Sequence, residues 1–352
     1  MKTIAEAFNK ELTEAKNGQK TSLPFIRHQY SNTDIGANSA LFQVLVIGGS
    51  FYKSALVQKK RGRYYIKNKK EGNQPVFKTK ADFLTFVASH IDPTVTHVGI
   101  NFAFPLTPFF RDGLLDGTLE FGTKEHAFTG LMGEVVGEQI EQYVAKQGGQ
   151  KIRVGIANDT ICLLLSGLTQ FDWDQVAAGI CGTGLNFALF LDEHTLVNLE
   201  AANFDKFEIS PEAAIVDKRS LKPGSALTEK EVSGAYLHQI FNEGIKLKGI
   251  KHSPLATTEE IDAVAESETG EAQVYADYLL KRSAGLLAAQ IAGITQFLNR
   301  DTSFVMEGSL FWKGYKYRER VEAFVREMIP ERNVSYIHIP DSGIFGGAKL
   351  VA

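Results

Sequence analysis

Cysteine is scarce in this sequence: Cys162 and Cys181 are the only two among 352 residues. Two cysteines are too few for a disulfide scaffold and lack metal-site spacing, so we expect a reducing compartment and no metal-ligating side chains. Long apolar runs are also missing, because no stretch reaches the roughly 18 residues that a membrane-spanning helix needs. Residues 1–12 show helical spacing without a long apolar core. We therefore predict no signal peptide, no membrane partner and a cytoplasmic location.

The sequence also lacks a large excess of charge of one sign. Its formal net charge of −3 predicts no general attraction to nucleic acid or to an anionic membrane. Segment 59–70, KKRGRYYIKNKK, is the exception, with seven basic residues and two tyrosines in twelve positions. An RNA-binding face is one interpretation, and a solvated hairpin tip around Arg61-Gly62 is the favoured one. We predict no nucleic-acid partner.

Patterns of strands and helices dominate the rest of the chain. Three strands are predicted at 42–47, 50–58 and 63–67, and the tight turns between them indicate an antiparallel meander. Further on, a strand at 97–104 and helices at 81–91, 228–243 and 273–298 are predicted from apolar periodicity. Strand–turn–strand units that alternate with helices favour an α/β protein with two lobes.

Two glycine-rich turns lie between predicted strands, Gly48-Gly49 and Gly182-Thr183-Gly184. Glycine lets the backbone turn tightly and expose N–H groups that bind oxyanions. A plain hairpin turn would explain the first of them equally well, whereas Thr183 adds a hydroxyl donor to the second. Neither turn has the Gly-Lys-Ser/Thr ending of a Walker loop. Together the two turns predict a pair of clamps on a polyphosphate.

Asn158 and Asp159 stand where an apolar strand ends and a helix begins. Ligands of α/β sheets usually bind at such strand ends. Asp159 could accept a proton from a substrate hydroxyl while Asn158 holds a neighbouring hydroxyl. A helix N-cap is an equally good explanation of the same residues, and the two roles are compatible.

Further polar residues lie near the ends of predicted elements. A glutamate is by default a surface residue, so each of them is uninformative by itself. As a set they offer carboxylates, amides and a cation, which suits a ligand with several hydroxyls, namely a sugar. The set consists of Thr123, Lys124, Asn186, Glu200 and Glu229.

These segments, taken in chain order, resemble the hexokinase family of the sugar-kinase, Hsp70 and actin superfamily. Two segments of this sequence resemble the family's phosphate motifs, VLVIGGSFYKSALV and GICGTGLNFALF. A third segment resembles the part of the family sequence that carries the catalytic aspartate, VGIANDTICLLLSG. Four further segments of this sequence resemble the family's sugar-binding segments, namely VGINFAFP, RDGLLDGTLEFGTKEHAF, NLEAANF and DKRSLKPGSALTEKEVSGAYLHQIF. The end of the chain, MEGSLF and then DSGIFGGAKLVA, is similar to the adenosine motif and final helix.

The resemblance implies a role for each matching residue. It makes Asp159 the general base and gives Lys124 a catalytic role in balancing phosphate charge. Sugar binding is implied for Thr123, Lys124, Asn158, Asp159, Asn186, Glu200 and Glu229. Nucleotide binding is implied for Gly48, Gly49, Ser50, Lys53, Gly182, Thr183, Gly184, Gly308, Ser309 and Gly343.

The resemblance also implies a fold and a reaction. The fold is a two-lobed actin-like ATPase (ribonuclease H-like) hexokinase fold with an inter-lobe cleft. Residues 1–37 would form a helix and linker, 38–160 a small lobe, and 161–343 a large lobe, with helix 344–352 returning to the small lobe. The reaction is ATP-dependent phosphorylation of the 6-hydroxyl of glucose or a related hexose, with Mg²⁺, by a monomer or homodimer.

The first phosphate motif differs from the family pattern at four positions, because Val46, Ser50, Phe51 and Lys53 stand where the family has aspartate, threonine, asparagine and arginine. Val46 stands where the family has an aspartate that organises Mg²⁺ through water, and Phe51 replaces an asparagine. An alternative function is therefore a catalytically weak, sugar-binding or regulatory relative. A kinase with another phosphoryl donor or another hexose is a third interpretation.

Overall fold

The computed structural model describes residues 1–31, 40–123 and 125–352. The strands of this part of the chain are β1 Ile26–Gln29, β2 Leu41–Ile47, β3 Phe51–Lys60, β4 Arg63–Asn73, β5 His97–Phe102, β6 Leu106–Arg111, β7 Leu114–Leu119, β8 Arg153–Ala157, β9 Val176–Cys181, β10 Leu185–Asp192, β11 Thr195–Asn198, β12 Thr302–Glu307 and β13 Val334–Ile337. The helices are α1 Lys2–Lys16, α2 Lys80–Ser89, α3 Val136–Lys146, α4 Asp159–Gly167, α5 Pro211–Arg219, α6 Leu227–Val232, α7 Leu237–Lys248, α8 Thr258–Ser267, α9 Glu271–Leu298, α10 Ser309–Lys313, α11 Tyr317–Met328 and α12 Ser342–Lys349.

A five-stranded sheet has the order β4-β3-β2-β5-β8. Strands β2 and β3 are antiparallel, whereas β2, β5 and β8 run parallel to one another. Val46, Asn101 and Ala157 therefore form one row across the sheet, near the carboxyl ends of the three parallel strands. The turn after β2 and the Asn158-Asp159 pair after β8 leave the sheet at this same edge.

Helix α12 covers one face of this sheet at very short range. A Cβ built on Gly99 of β5 would lie 1.8 Å from the carbonyl oxygen of Gly347, and one built on Gly346 would lie 1.9 Å from that of Cys162. Glycine is therefore required where α12 meets β5 and α4. Val44, Ala55, Val57, Ile344 and Ala348 form the buried cluster beneath the helix. The opposite face carries a larger apolar core, which includes Phe83, Val87, Ile100 and Phe128.

The six-stranded sheet has the order β1-β11-β10-β9-β12-β13, and β6 pairs with β7 as a separate hairpin. Helix α9, with 28 residues, is buried along most of its length. Its Gly293 lies against Phe8 of α1, since a Cβ there would be 3.0 Å from the Phe8 ring. Among the described residues, no helix has the length and apolar character needed to cross a membrane.

Contacts between Cα atoms divide the described chain into two compact units. The first unit comprises 1–25, 179–187 and 199–338, and the second comprises 26–178, 188–198 and 339–352. The predicted lobes were the continuous ranges 38–160 and 161–343, with helix 344–352 added to the first, whereas each unit combines three segments of the chain. Residues 32–39 lie outside the described residues. Helix α12 is part of the same unit as β2, β5 and β8.

Most of the predicted elements are confirmed, with shifts of a few residues at their ends. The turn of the basic hairpin, Arg61-Gly62, has φ of 52° and 76°, which is typical of a two-residue hairpin turn. The single helix predicted at 228–243 is wrong, because α6 and α7 are separated at 233–236. The reason is tertiary: the N–H of Gly234 donates to the carbonyl of Gly182 at 2.7 Å instead of continuing a helix.

Candidate functional site

The first glycine turn, in the second unit, has its three carbonyl groups fixed from outside the turn. Gln74 donates its Nε2 to the Gly48 carbonyl at 2.6 Å and its backbone N–H to the Ser50 carbonyl at 2.9 Å. His126 Nε2 lies 2.7 Å from the Gly49 carbonyl. The His126 Nδ1 accepts the N–H of Phe77 at 3.0 Å, so the proton of the ring is on Nε2, the donor to Gly49.

Fixing the carbonyls also fixes the direction of the N–H groups. In a planar trans peptide, the C=O of one residue and the N–H of the next point in opposite directions. The N–H groups of Gly49 and Ser50 therefore point away from Gln74 and His126, and neither has an acceptor among the described residues. Two adjacent backbone amides without acceptors are available to bind an anion.

Asn158 and Asp159 differ in the hydrogen bonds that they make at the start of α4. Asn158 is the N-cap of α4, since its Oδ1 accepts the N–H of Ile161 at 2.9 Å. Asp159 is exposed in the first turn, and its Oδ1 accepts the N–H of Thr160 at 2.7 Å. Within the described part of the chain, no hydrogen bond or ion pair reaches Asp159 Oδ2. One carboxylate oxygen thus remains for a ligand, and the Asn158 amide retains its NH₂ group.

Thr123 lies in a tight turn before the fold returns to the core. The N–H of His126 donates to the Thr123 carbonyl at 3.0 Å. A Cβ on Gly122 would lie 2.0 Å from the His126 carbonyl oxygen, so glycine is required there. Lys124, the predicted cation, lies outside the described residues.

Lys53 and Lys69 both contact Asp341, which lies two residues before Gly343. The ammonium of Lys53 lies 3.8 Å and that of Lys69 3.0 Å from Asp341 Oδ1, and the Asp341 contact raises the pKa of Lys69. Gly343 follows in the first turn of α12. A Cβ at Gly343 would lie 2.9 Å from the Asn101 amide nitrogen and 3.4 Å from a methyl of Val46. The side chain at position 46 therefore makes an apolar contact with α12.

The second glycine turn, in the first unit, is formed by glycine packing. The Gly182 N–H donates to the Gly184 carbonyl at 3.0 Å, and the Gly234 N–H donates to the Gly182 carbonyl at 2.7 Å. A Cβ on Gly182 would lie 3.1 Å from the Cα of Gly308 and 3.6 Å from the Ser309 nitrogen. The structure thus brings four predicted nucleotide residues together, with Thr183 exposed at the tip.

Asn186, Glu200 and Glu229 are also close together in the first unit. Asn186 Oδ1 accepts the N–H of Ala201 at 3.2 Å, and Glu229 Oε2 accepts the N–H of Leu185 at 3.0 Å. Glu200 has a left-handed backbone, with φ of 50°. Non-glycine residues adopt this conformation uncommonly, and it is held here by the neighbouring Ala201, whose carbonyl accepts from Gln290 at 3.0 Å.

Burial raises the pKa of Glu229, and the nearby Glu200 carboxylate raises it further, against the opposing effect of the Leu185 N–H. The Tyr236 phenol lies near the same carboxylate, since burial first and then Glu229 raise its pKa. Tyr236 was not predicted as a site residue. Its position in the break between α6 and α7 depends on Gly234, so the local sequence gave no signal for it.

A divalent cation held by a protein needs several oxygen, nitrogen or sulfur ligands close together. The described residues contain no group of three or more His, Cys, Asp or Glu side chains that could hold a metal ion. Val46 offers no oxygen, and Phe51 is 66% exposed without a polar group. Mg²⁺ usually binds proteins through one or two carboxylates together with substrate phosphates and keeps several waters.

The architecture matches a known fold. Mixed α/β sheets with glycine turns at strand ends constitute the actin-like ATPase fold found in sugar kinases. A crystal structure of a hexokinase superimposes with a TM-score of 0.82 at 18% identity, covering 99% of this chain and 94% of that one. The hexokinase of Schistosoma mansoni, complexed with glucose, gives a TM-score of 0.75 at 20% identity with the same coverage.

Sequence comparison finds similarity to hexokinases. The hexokinase family model matches residues 246–352. A curated relative, Hexokinase-7 of Oryza sativa subsp. japonica, is 24% identical over 91% of this chain and 86% of its own length. These matches agree with one another and with the resemblance of the sequence motifs to hexokinases.

Proposed function

We propose that this protein is an ATP-dependent hexose kinase that phosphorylates the 6-hydroxyl of glucose or a related hexose. The single observation that carries the proposal is the edge of the five-stranded sheet. There the free Oδ2 of Asp159 follows β8, and the free N–H groups of Gly49 and Ser50 follow β2. A base for a hydroxyl and donors for a phosphate thus leave one sheet edge within one unit.

In the proposed reaction, the sugar 6-oxygen attacks the γ-phosphorus of ATP. The new O–P bond forms as the bond to the ADP oxygen breaks, and Asp159 takes the hydroxyl proton. Phosphoryl transfer needs mainly positioning and charge stabilisation, so a weakly basic carboxylate is sufficient. Asp159 is well placed because its Oδ1 is held by the Thr160 N–H while Oδ2 is left to the substrate.

The other sugar contacts are proposed from residue types and positions. Asn158 would donate its NH₂ group to a hydroxyl, since its Oδ1 is engaged in capping α4. Glu200 and Glu229 would accept from hydroxyls, and burial of Glu229 makes such bonds more favourable than in water. Thr123, Lys124 and Asn186 complete the proposed sugar set.

The nucleotide contacts are proposed at both glycine turns. The N–H groups of Gly49 and Ser50 and the ammonium of Lys53 would bind phosphate oxygens at the first turn. Mg²⁺, bound to those oxygens, would supply further charge neutralisation. At the second turn and near it, the proposed nucleotide residues are Gly182, Thr183, Gly184, Gly308 and Ser309. Gly343, at the start of α12 in the second unit, is proposed as a further nucleotide residue.

The test is a hexose-dependent assay of ADP release from MgATP by the purified protein. Turnover with glucose, mannose, fructose or glucosamine supports the proposal, and the ranking of these sugars gives the preferred hexose. Glucose binding without any turnover would instead support the weak or regulatory relative that Val46 and Phe51 suggest. A cytoplasmic location and a monomeric or homodimeric state remain predictions.

Replacing the proposed base is the sharpest version of this test. We expect Asp159→Ala to lower kcat by about 10²–10⁴-fold, the usual contribution of a positioned acid or base, while the Kd for glucose changes little. Asp174→Ala, an exposed aspartate in the same unit, is the matched control. Unchanged turnover in Asp159→Ala, measured by coupled assay, would contradict the assignment of the base.

A further inference from the structure

His126 is a buried titratable side chain to which the proposed reaction gives no role. It is 3% exposed, and its ring lies among Phe77, Phe104 and Phe128, with centroid distances of 5.1, 5.2 and 5.5 Å. Packing alone would be served by a phenylalanine in such a cluster. The imidazole instead uses both of its nitrogens, one toward Phe77 and the other toward Gly49.

These two bonds join separate segments of the chain. Through the Gly49 carbonyl, His126 contacts the first glycine turn. Through its own backbone, it closes the turn that carries Thr123, because its N–H donates to the Thr123 carbonyl and its C=O packs against Gly122. A displacement of the Thr123 turn would therefore move the group that fixes the Gly49 carbonyl.

We propose that His126 is a positioning residue that links the Thr123 turn to the first glycine turn. This inference rests on the proposed function, in which Thr123 contacts the sugar and the Gly49–Ser50 amides contact phosphate. The Ser50 N–H belongs to the same peptide as the Gly49 carbonyl, so its direction follows from the bond to His126. Occupation of the Thr123 turn by a hexose thus stabilises the phosphate-binding orientation of that peptide.

The test measures the affinity for MgADP with and without saturating glucose by calorimetry. In the parent protein, we expect glucose to raise MgADP affinity by about tenfold, within the usual range of coupling between two sites. His126→Asn keeps an acceptor for the Phe77 N–H but is too short to reach Gly49. We expect this variant to lose about fivefold of the coupling, so that glucose raises its MgADP affinity only about twofold. The Kd for glucose alone should change little.

Three further variants separate positioning from a merely structural role. His126→Gln keeps an acceptor and a donor on one amide, so it should restore at least half of the coupling. His28→Asn changes another buried histidine of the same unit, which contacts the Ile26 carbonyl, and should leave the coupling intact. Gln74→Met removes the hold on the Gly48 carbonyl without touching the Thr123 turn. It should weaken MgADP binding equally with and without glucose.

The outcomes distinguish this inference from the proposed function. If the parent binds neither glucose nor MgADP, the proposed function itself fails. If the parent binds both but shows no coupling, or if His126→Asn keeps the full coupling while folded by circular dichroism, the positioning role is overturned. Loss of coupling in His28→Asn as well would reduce the role of His126 to packing.

Discussion

At the first glycine turn, the carbonyl groups are held by Gln74 and His126, which belong to other segments of the second unit. At the second turn, the Gly182 carbonyl is held by the backbone of Gly234, and the turn packs against the backbone of Gly308. Side chains can be exchanged with modest effects on the fold, whereas Gly308 admits no Cβ, because one there would lie 2.1 Å from the Cys181 carbonyl oxygen. Substitution of the side chains that hold the first turn can therefore change the orientation of its carbonyl groups. The second turn cannot be changed in this way, because it is held by backbone contacts.

The largest expected effect is on stability at the second turn. Gly308 has φ of 113°, and a Cβ there would lie 2.1 Å from the Cys181 carbonyl oxygen. We expect Gly308→Ala to lower the free energy of unfolding by on the order of 3–5 kcal/mol, since backbone strain and overpacking add. At the first turn, a Cβ on Gly48 would lie 3.1 Å from the Phe51 carbonyl oxygen, and we expect Gly48→Ala to cost about 1 kcal/mol.

Urea unfolding of the two variants measures this difference directly. A substitution at Gly224, which also has positive φ but nothing within 4 Å, reports the cost of backbone strain without the collision. An equal loss of stability in Gly48→Ala and Gly308→Ala would contradict the distinction between the two turns.

The next effect concerns Glu229, which lies beside the second turn. We expect Glu229→Gln to weaken glucose binding by about 10–100-fold, the value of a hydrogen bond to a charged group. Because burial raises the pKa of Glu229, its carboxylate becomes protonated at a higher pH than an ordinary glutamate. Glucose affinity of the parent should therefore fall as the pH is lowered through this raised pKa, and the variant should lack that step.

The same shift has a consequence for stability, with a definite sign. Between the ordinary pKa of a glutamate and the raised value, the folded state binds more protons than the unfolded state, so stability decreases as the pH rises. Glu229→Gln should remove this slope, whereas Glu271→Gln, an exposed glutamate of the same unit, should keep it. Identical pH profiles for the parent and Glu229→Gln, from glucose titrations and thermal melts, would be evidence against this assignment.

The smallest effect is expected at Val46, on the strand that leads into the first turn. Val46 pairs with Lys53 across the strands, and Lys53 is the weaker of the two contacts to Asp341. An aspartate at position 46 would add the carboxylate that the family resemblance assigns to water-mediated binding of Mg²⁺. We expect Val46→Asp to lower the KM for MgATP by about two- to fivefold, or ~0.4–1 kcal/mol, as for a partly exposed charge.

Val46→Asn is the matched control, since it has nearly the same shape without the charge. The measurement is the KM for MgATP at several Mg²⁺ concentrations. If the asparagine and aspartate variants behave alike, the charge at position 46 has no role at this turn.

Local signals in the sequence are sufficient to predict the elements around both turns. Apolar alternation and tight turn residues predict β2, β3 and β4, and the 273–298 periodicity predicts α9, because these signals are local. The sequence motifs also predict which polar residues, from Thr123 to Glu229, are candidates for sugar binding. The hairpin β6–β7 was missed although Asp112-Gly113, with φ of 51° and 82°, is a recognisable hairpin turn.

The groups that hold the two turns come from distant parts of the chain. Gln74 and His126 are distant from Gly48 and Gly49 in sequence, and no local period predicts that their side chains fix these carbonyls. The break between α6 and α7 exists because Gly234 bonds to Gly182, a contact that overrides helical propensity. Long-range hydrogen bonds and close backbone contacts depend on the assembled sheets and helices, so the sequence determined which residues form the turns and the fold determined where their N–H groups point.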